Sequence, residues 1–164
     1  MSEQQPSIGF ATTDDVAELA RLRWELYAEQ EGAPAETPDE YRERFARFAG
    51  SALASDMWRS WVVRDGDRLV AAMWLQTVPR VPVPGKRAGA IGYLTNVYVA
   101  PEHRDAGLGA QMLERAKAWC REQGHSLVIV WPSERSRSFY QRAGFGRPDD
   151  PLVLDLEPDT PLER

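Results

Sequence analysis

Cysteine is almost missing from this chain: Cys120 is the single thiol in 164 residues. No disulfide can close within the molecule, and such usage suits a reducing compartment. Basic residues are not in surplus either, with 20 Lys and Arg against 25 Asp and Glu for a net charge of −5. The positive footprint that holds nucleic acid is lacking, and cationic or neutral partners are favoured over polyanions. No apolar run approaches the ~18 residues that a membrane helix requires. The stretch MSEQQPSIGFATTDD has no basic segment followed by an apolar one, so no secretion signal is read. Histidine occurs at His103 and His125 alone, far apart and beside turns, which argues against a metal site. These absences describe a cytoplasmic protein that binds neither nucleic acid nor membrane.

What is present is an ordinary globular balance, with 43% hydrophobic and 27% charged residues. A single hydrophobic core can serve this length, so one domain over residues 1–164 is expected. Ile8 to Thr12 reads as a first strand, and Thr13 or Asp14 as the cap of a helix. Its apolar positions Val16, Leu19, Ala20, Leu26 and Tyr27 run up to Gly32. A second helix follows ETPD, with Tyr41, Phe45, Phe48 and Ala52 on one face. WRSWVVR and RLVAAMWLQTV are strands joined by DGD, a hairpin signal. PRVPVPGKRAG cannot be a central strand, because proline donates no ladder hydrogen bond. It reads as a long loop before the strand IGYLTNVYV. PEHRDAGLG then leads into the helix AQMLERAKAWCREQ, stopped by Gly124. SLVIVW reads as a buried strand, ERSRSFYQRA as a helix stopped by Gly144, and PLVLDLE as a last strand. The order β-α-α-β-β-β-α-β-α-β is a mixed α/β domain around one sheet.

The chemistry concentrates in VAPEHRDAGLGAQML. A helix N-terminus presents N–H groups with no partner inside the helix and gathers about half a positive charge. Glycines let a ligand come close to the backbone, so a strand–glycine–helix unit is a natural anion site. Arg104 can add charge-assisted hydrogen bonds. No Lys followed by Ser or Thr comes after a second glycine, as a Walker A loop requires. Met112 stands where a dinucleotide fingerprint needs its third glycine. Taken alone, Gly-x-Gly is equally a plain turn.

With its flanks, the stretch resembles the acetyl-CoA-binding segment of the GCN5-related N-acetyltransferases, the GNAT family. Arg104, Gly107 and Gly109 meet that family's Arg/Gln-x-x-Gly-x-Gly/Ala pattern. SERSRSFYQRAGF resembles its second hallmark, a helix that bears a tyrosine and ends in Gly-Phe. The resemblance implies a mixed, mostly antiparallel central sheet, flanked by helices and splayed at the acetyl-CoA site. It implies that the backbone of Asp105, Ala106, Gly107, Leu108, Gly109 and Ala110 holds the pyrophosphate, with Arg104 close by. Val97, Tyr98 and Val99 would pair with the pantetheine arm, and an amide of this strand would polarise the thioester carbonyl. Tyr140 matches the acid that protonates the departing thiolate. Ser133 stands where the family often carries a cofactor-contacting asparagine, and it can still donate and accept.

The departure is in LTNVYV. Thr95 and Asn96 occupy the place where many relatives carry a glutamate base, so no general base is assigned. One is needed, or direct loss of a proton to solvent, because an alkyl amine of pKa ~10.4 cannot attack while protonated. Glu29 and Glu31, at the end of the first helix, are the candidates for acceptor binding or base. Trp24, Trp58, Trp61 and Trp74 read more readily as core than as an aromatic cage for a cation. Cys120, on a helix face with Leu113, Ala116 and Trp119, reads as a packed thiol. The expected function is acetyl-CoA-dependent transfer to an amine, small molecule or protein, by direct attack in a ternary complex. The alternative is a non-catalytic acyl-CoA-binding sensor or interaction module, favoured by the missing glutamate and disfavoured by Tyr140. Dimerisation is common in the family, and the sequence itself leaves it open.

Overall fold

The computed structural model describes residues 5–86, 89–146, 154 and 156. They fall into two compact units, Met1–Val130 and Trp131–Arg164. The first unit holds β1 (Ser7–Phe10), α1 (Val16–Glu31), α2 (Pro38–Leu53), β2 (Trp58–Asp65), β3 (Arg68–Val78), β4 (Ile91–Val99), α3 (Leu108–Glu122) and β5 (Leu127–Val130). The second holds the short α4 (Arg137–Arg142). The five strands lie in the order β1-β2-β3-β4-β5. The first four are antiparallel neighbours, and β5 runs parallel to β4. This is the mixed, mostly antiparallel sheet flanked by helices that the sequence implies. The expected last strand, PLVLDLE, falls on positions of which only Leu154 and Leu156 are described.

Both faces of the sheet are covered. Leu69 to Leu75 of β3 are buried without alternation, as a central strand between helices should be. On one face Leu19, Ala20 and Leu22 of α1 and Phe45, Ala49 and Ala52 of α2 form a core with Val62, Ala72, Trp74 and Tyr98. Leu108, Met112, Leu113, Ala116 and Cys120 make the buried stripe of α3 at helical spacing. Gly92 belongs to the α3 side. A Cβ there would stand 3.3–3.4 Å from Leu75 Cδ1, Cys120 Sγ and Val128 Cγ2, so glycine lets strand and helix close up. Cys120 is buried, and burial pushes its thiol up to about 11, as expected of a packed thiol.

The first strand is Ser7–Phe10 rather than Ile8–Thr12, and β5, expected to be buried, is exposed at Leu127 and half-buried from Val128 to Val130 because it is the last of the five described strands. Helix starts follow local hydrogen bonding and depart from the sequence expectation in three places. The first cap is Thr12, not Thr13 or Asp14. The Asp15 carboxylate accepts from the Thr12 N–H at 2.7 Å and from its hydroxyl at 3.2 Å, closing a one-turn 3-10 helix ahead of α1. The third residue after the cap is the one whose carboxylate can reach back, and Asp15 fills that place for Thr12. Second, α3 starts at Leu108 rather than Ala110, because Gly107 already serves as its cap. Third, α4 is six residues long, because Ser133 and Ser136 hold the preceding segment in a separate turn. Elsewhere the signals were direct. Thr37 and Glu40 form a capping box with Pro38 in the first turn of α2, and Gly66 at φ +58° reverses the chain between β2 and β3.

Candidate active site

The glycine turn joins the end of β4 to α3. Gly107 has φ +75°, left-handed backbone that side chains with a Cβ enter only at a cost. Asp105 is also left-handed, at φ +64°, which aspartate tolerates better than most residues. The first hydrogen bond at the start of α3 runs from the Gln111 N–H to the Gly107 carbonyl at 3.0 Å, and no side chain caps the helix. The N–H groups of Leu108, Gly109 and Ala110 are therefore left to an outside acceptor. A Cβ built on Gly107 would have Gln111 Nε2 at 3.8 Å, so side chains do not crowd the turn at that point. The residues present fit a pyrophosphate held by backbone.

Beside the turn β4 runs on past the end of β5. β4 pairs with β5 only from Ile91 to Leu94, while on its other edge it pairs with β3 as far as Val99. Thr95 to Val99 thus have no strand partner on the β5 side among the described residues. The β3 register also slips here. Thr95 faces Trp74 and Tyr98 faces Ala72, so Asn96 and Val97 together oppose Met73. This bulge places Asn96 at φ +56° and leaves its Oδ1 buried without a hydrogen bond. Bulges re-aim backbone groups and interrupt pairing. The sequence shows no interruption in IGYLTNVYV. The one cue is that asparagine enters left-handed backbone more readily than its β-branched and aromatic neighbours.

Arg104 lies between β4 and the turn. Its Nε donates to the Val99 carbonyl at 2.9 Å, and its guanidinium lies 5.6 Å from the centre of the Tyr98 ring. Its two terminal nitrogens donate to both oxygens of Glu29 at 2.9 and 2.6 Å. Glu29 accordingly raises the arginine's pKa. Two residues that the sequence assigns to separate tasks, one to phosphate and one to the acceptor, are each other's partner. Glu31 is exposed at the end of α1. Burial pushes the Tyr98 phenol up, with Glu25 and Glu29 adding to the effect.

In the second unit, Tyr140 on α4 is buried, with the Phe139 and Phe145 rings at 5.0 and 5.6 Å. Burial pushes its phenol up to about 12. Ser133 Oγ accepts from the Ser136 N–H at 3.3 Å and lies 2.9 Å from the Ser136 hydroxyl, so its side chain serves the local turn. The tryptophans do not gather into one cage. Trp61 packs on Phe10 and Trp119, while Trp58 and Trp74 join Phe45 and Phe48. Trp24 stands 5.6 Å from Tyr41, which connects it through Phe45 to that cluster, and lines a cavity of about 320 Å³ between α1 and α2.

The bulged β4 and the uncapped helix behind a left-handed glycine accompany a match over residues 7–147 to the family model described as the acetyltransferase (GNAT) domain. The chain belongs to the GNAT acetyltransferase family. The sequence is 33% identical over 89 residues to a glucosamine 6-phosphate N-acetyltransferase of Trypanosoma brucei brucei, covering 54% of this chain and 58% of that one. The fold of this GNAT member is shared with a predicted acetyltransferase of Clostridium acetobutylicum solved with acetyl-CoA. There the TM-score is 0.79 at 22% identity, over 93% of this chain and 97% of that one. A GCN5-related N-acetyltransferase of Ralstonia eutropha gives a TM-score of 0.74 at 24% identity, over 92% and 99% of the two chains. Among the described residues no helix is long and apolar enough to cross a membrane.

Proposed function

We propose that this GNAT protein transfers an acetyl group from acetyl-CoA to an amine, by direct attack in a ternary complex. The supporting observation is the uncapped start of α3 behind Gly107, beside a stretch of β4 that has no strand partner on the β5 side among the described residues. Acetyl-CoA supplies an activated thioester when bound. The amides from Asp105 to Ala110 are the pyrophosphate cradle, and the free edge at Val97, Tyr98 and Val99 receives the pantetheine arm. An amide of the bulged strand donates to the oxygen that becomes negative in the transition state. In this reading Tyr140, protonated at neutral pH, gives its proton to the sulfur as the carbon–sulfur bond breaks. Ser133 is the remaining cofactor contact in this reading. At the acceptor side, the last turn of α1 carries Glu29, whose carboxylate is held by Arg104, and the exposed Glu31, which is the carboxylate left to face a cationic amine. The amine loses its proton to solvent or to a carboxylate there, because Asn96 and Thr95 cannot take one. Residues 1–164 would act as a single acetyltransferase domain, of which 7–147 match the family model.

The test is calorimetry with acetyl-CoA, desulfo-CoA and ADP, then a thiol-release screen over amines. Glucosamine 6-phosphate leads the panel because a relative is named for it; lysine, polyamines and peptide amino termini follow. Tight binding that needs the pantetheine arm, with thiol release for one amine class, supports the reading. Tight binding with no release for any amine would make the protein an acyl-CoA sensor. Binding of ADP alone would remove acyl transfer altogether.

A further inference from the structure

We propose that Arg104 is a positioning residue, clamped by Glu29 so that the last turn of α1 is fixed against the end of β4, and that it leaves the pyrophosphate to the backbone amides. The inference rests on the acetyl-CoA reading above and refines it. Three sides of the guanidinium are already engaged: Nε by the Val99 carbonyl, both terminal nitrogens by Glu29, and one flat face by Tyr98. The two side chains are each 28% exposed, so water screens the pair less than it would at the open surface. Bidentate geometry fixes direction as well as distance. A pyrophosphate at this guanidinium would stand next to the Glu29 carboxylate, and the pair offers it no net charge.

The end of α1 points the same way. Helix C-termini are the negative ends of their dipoles and favour cations. The last turn of α1 instead carries Glu29 and Glu31 and no basic residue. Arg104 supplies from across the fold the positive charge that this helix end lacks. An acid placed against its own helix dipole has a rationale when its partner is an arginine on the neighbouring strand end. The clamp joins the strand that would carry the thioester to the helix end that would face the amine, so it sets the spacing between the two substrates.

The experiment compares Arg104→Gln, Arg104→Lys, Glu29→Gln and the double Glu29→Gln/Arg104→Gln variant with the wild type. Calorimetry is run with acetyl-CoA and with its nucleotide half, 3′-phosphoadenosine 5′-diphosphate. The clamp predicts affinities within about twofold of wild type for all four, together with a raised KM for the amine that gives turnover in the panel above. Lysine should fail to rescue that KM, because it lacks the fork, and the double variant should be no worse than either single. A phosphate role predicts opposite behaviour. Arg104→Gln would weaken the nucleotide half tenfold or more, Arg104→Lys would largely restore it, and Glu29→Gln would tighten it by freeing the guanidinium. That pattern overturns the clamp while leaving the acetyltransferase reading intact. A wild-type protein that binds no acetyl-CoA overturns both.

Discussion

Gly107 and Gly109 belong to one sequence pattern, yet alanine should destabilise the first position and not the second. Gly107 sits at φ +75°, and its virtual Cβ meets nothing closer than 3.8 Å. The cost of alanine there is therefore conformational rather than steric, about 1–2 kcal/mol for left-handed backbone. In a chain of this length 1 kcal/mol shifts Tm by about 2–4 °C, so Gly107→Ala should lower Tm by roughly 2–8 °C. Relaxing the strain rotates the peptide and turns the N–H groups at the start of α3 away from their ligand. A hydrogen bond to a charged group contributes about 1.5–3 kcal/mol, so losing one weakens acetyl-CoA by about tenfold or more. Gly109 lies inside α3 and has no positive φ. Alanine at that position should be neutral or stabilise by up to about 1 kcal/mol. Thermal melts and calorimetry on the two variants decide the matter. Equal or higher Tm for Gly107→Ala would refute the left-handed cap. A lower Tm with unchanged acetyl-CoA affinity would take the turn out of the binding site.

Tyr140→Phe should lower kcat by about 10²–10⁴ if the phenol is the acid, with acetyl-CoA affinity preserved; equal turnover assigns Tyr140 to packing between Phe139 and Phe145. Asp105→Asn keeps a residue that tolerates φ +64° and removes a carboxylate from beside the anion site. It should tighten acetyl-CoA by roughly 0.5–1 kcal/mol at low salt, and a weaker complex would mean that the aspartate itself makes a contact. Stability should also fall at alkaline pH. The buried Cys120 and Tyr140 titrate at about 11 and 12, above their ordinary 9.0 and 10.0. The stability they contribute is intact below pH 9 and is lost as pH rises through 11 and 12. Urea midpoints measured from pH 7 upward should hold and then drop in that window, and Cys120→Ala should remove its lower part.

Much of this fold follows from interactions that span a few residues, and those were legible. The apolar stripe of α3, the Thr37–Glu40 box at the start of α2 and the Gly66 reversal are set by neighbours in the chain. The glycine turn belongs to the same class, because a left-handed cap is a property of one residue and the helix after it. The sequence misplaces the start of α4 by three residues, Glu134 against Arg137, because Ser133 competes locally with the helix. The bulge at Asn96 is different. It exists because two residues of β4 stand against Met73 of β3, and a register between strands is not written in either strand alone.

The Glu29–Arg104 pair lies beyond both kinds of inference, since its members are 75 residues apart. Each carried a local cue, a basic residue before a glycine turn and an acid at the wrong end of a helix dipole. Read singly, each cue suggested a ligand: phosphate for the cation, an amine for the acid. Their pairing satisfies both cues without either ligand. The charge on a candidate side chain therefore describes its function only after its protein partners have been subtracted. What survives that subtraction here is backbone: the N–H groups at the start of α3 and the β5-side edge of β4 beyond Leu94, both without a backbone partner among the described residues. Such groups keep their donors at every working pH. They depend on side chains only through conformation, which is why a glycine at φ +75° bears more of the proposed cofactor site than the arginine beside it.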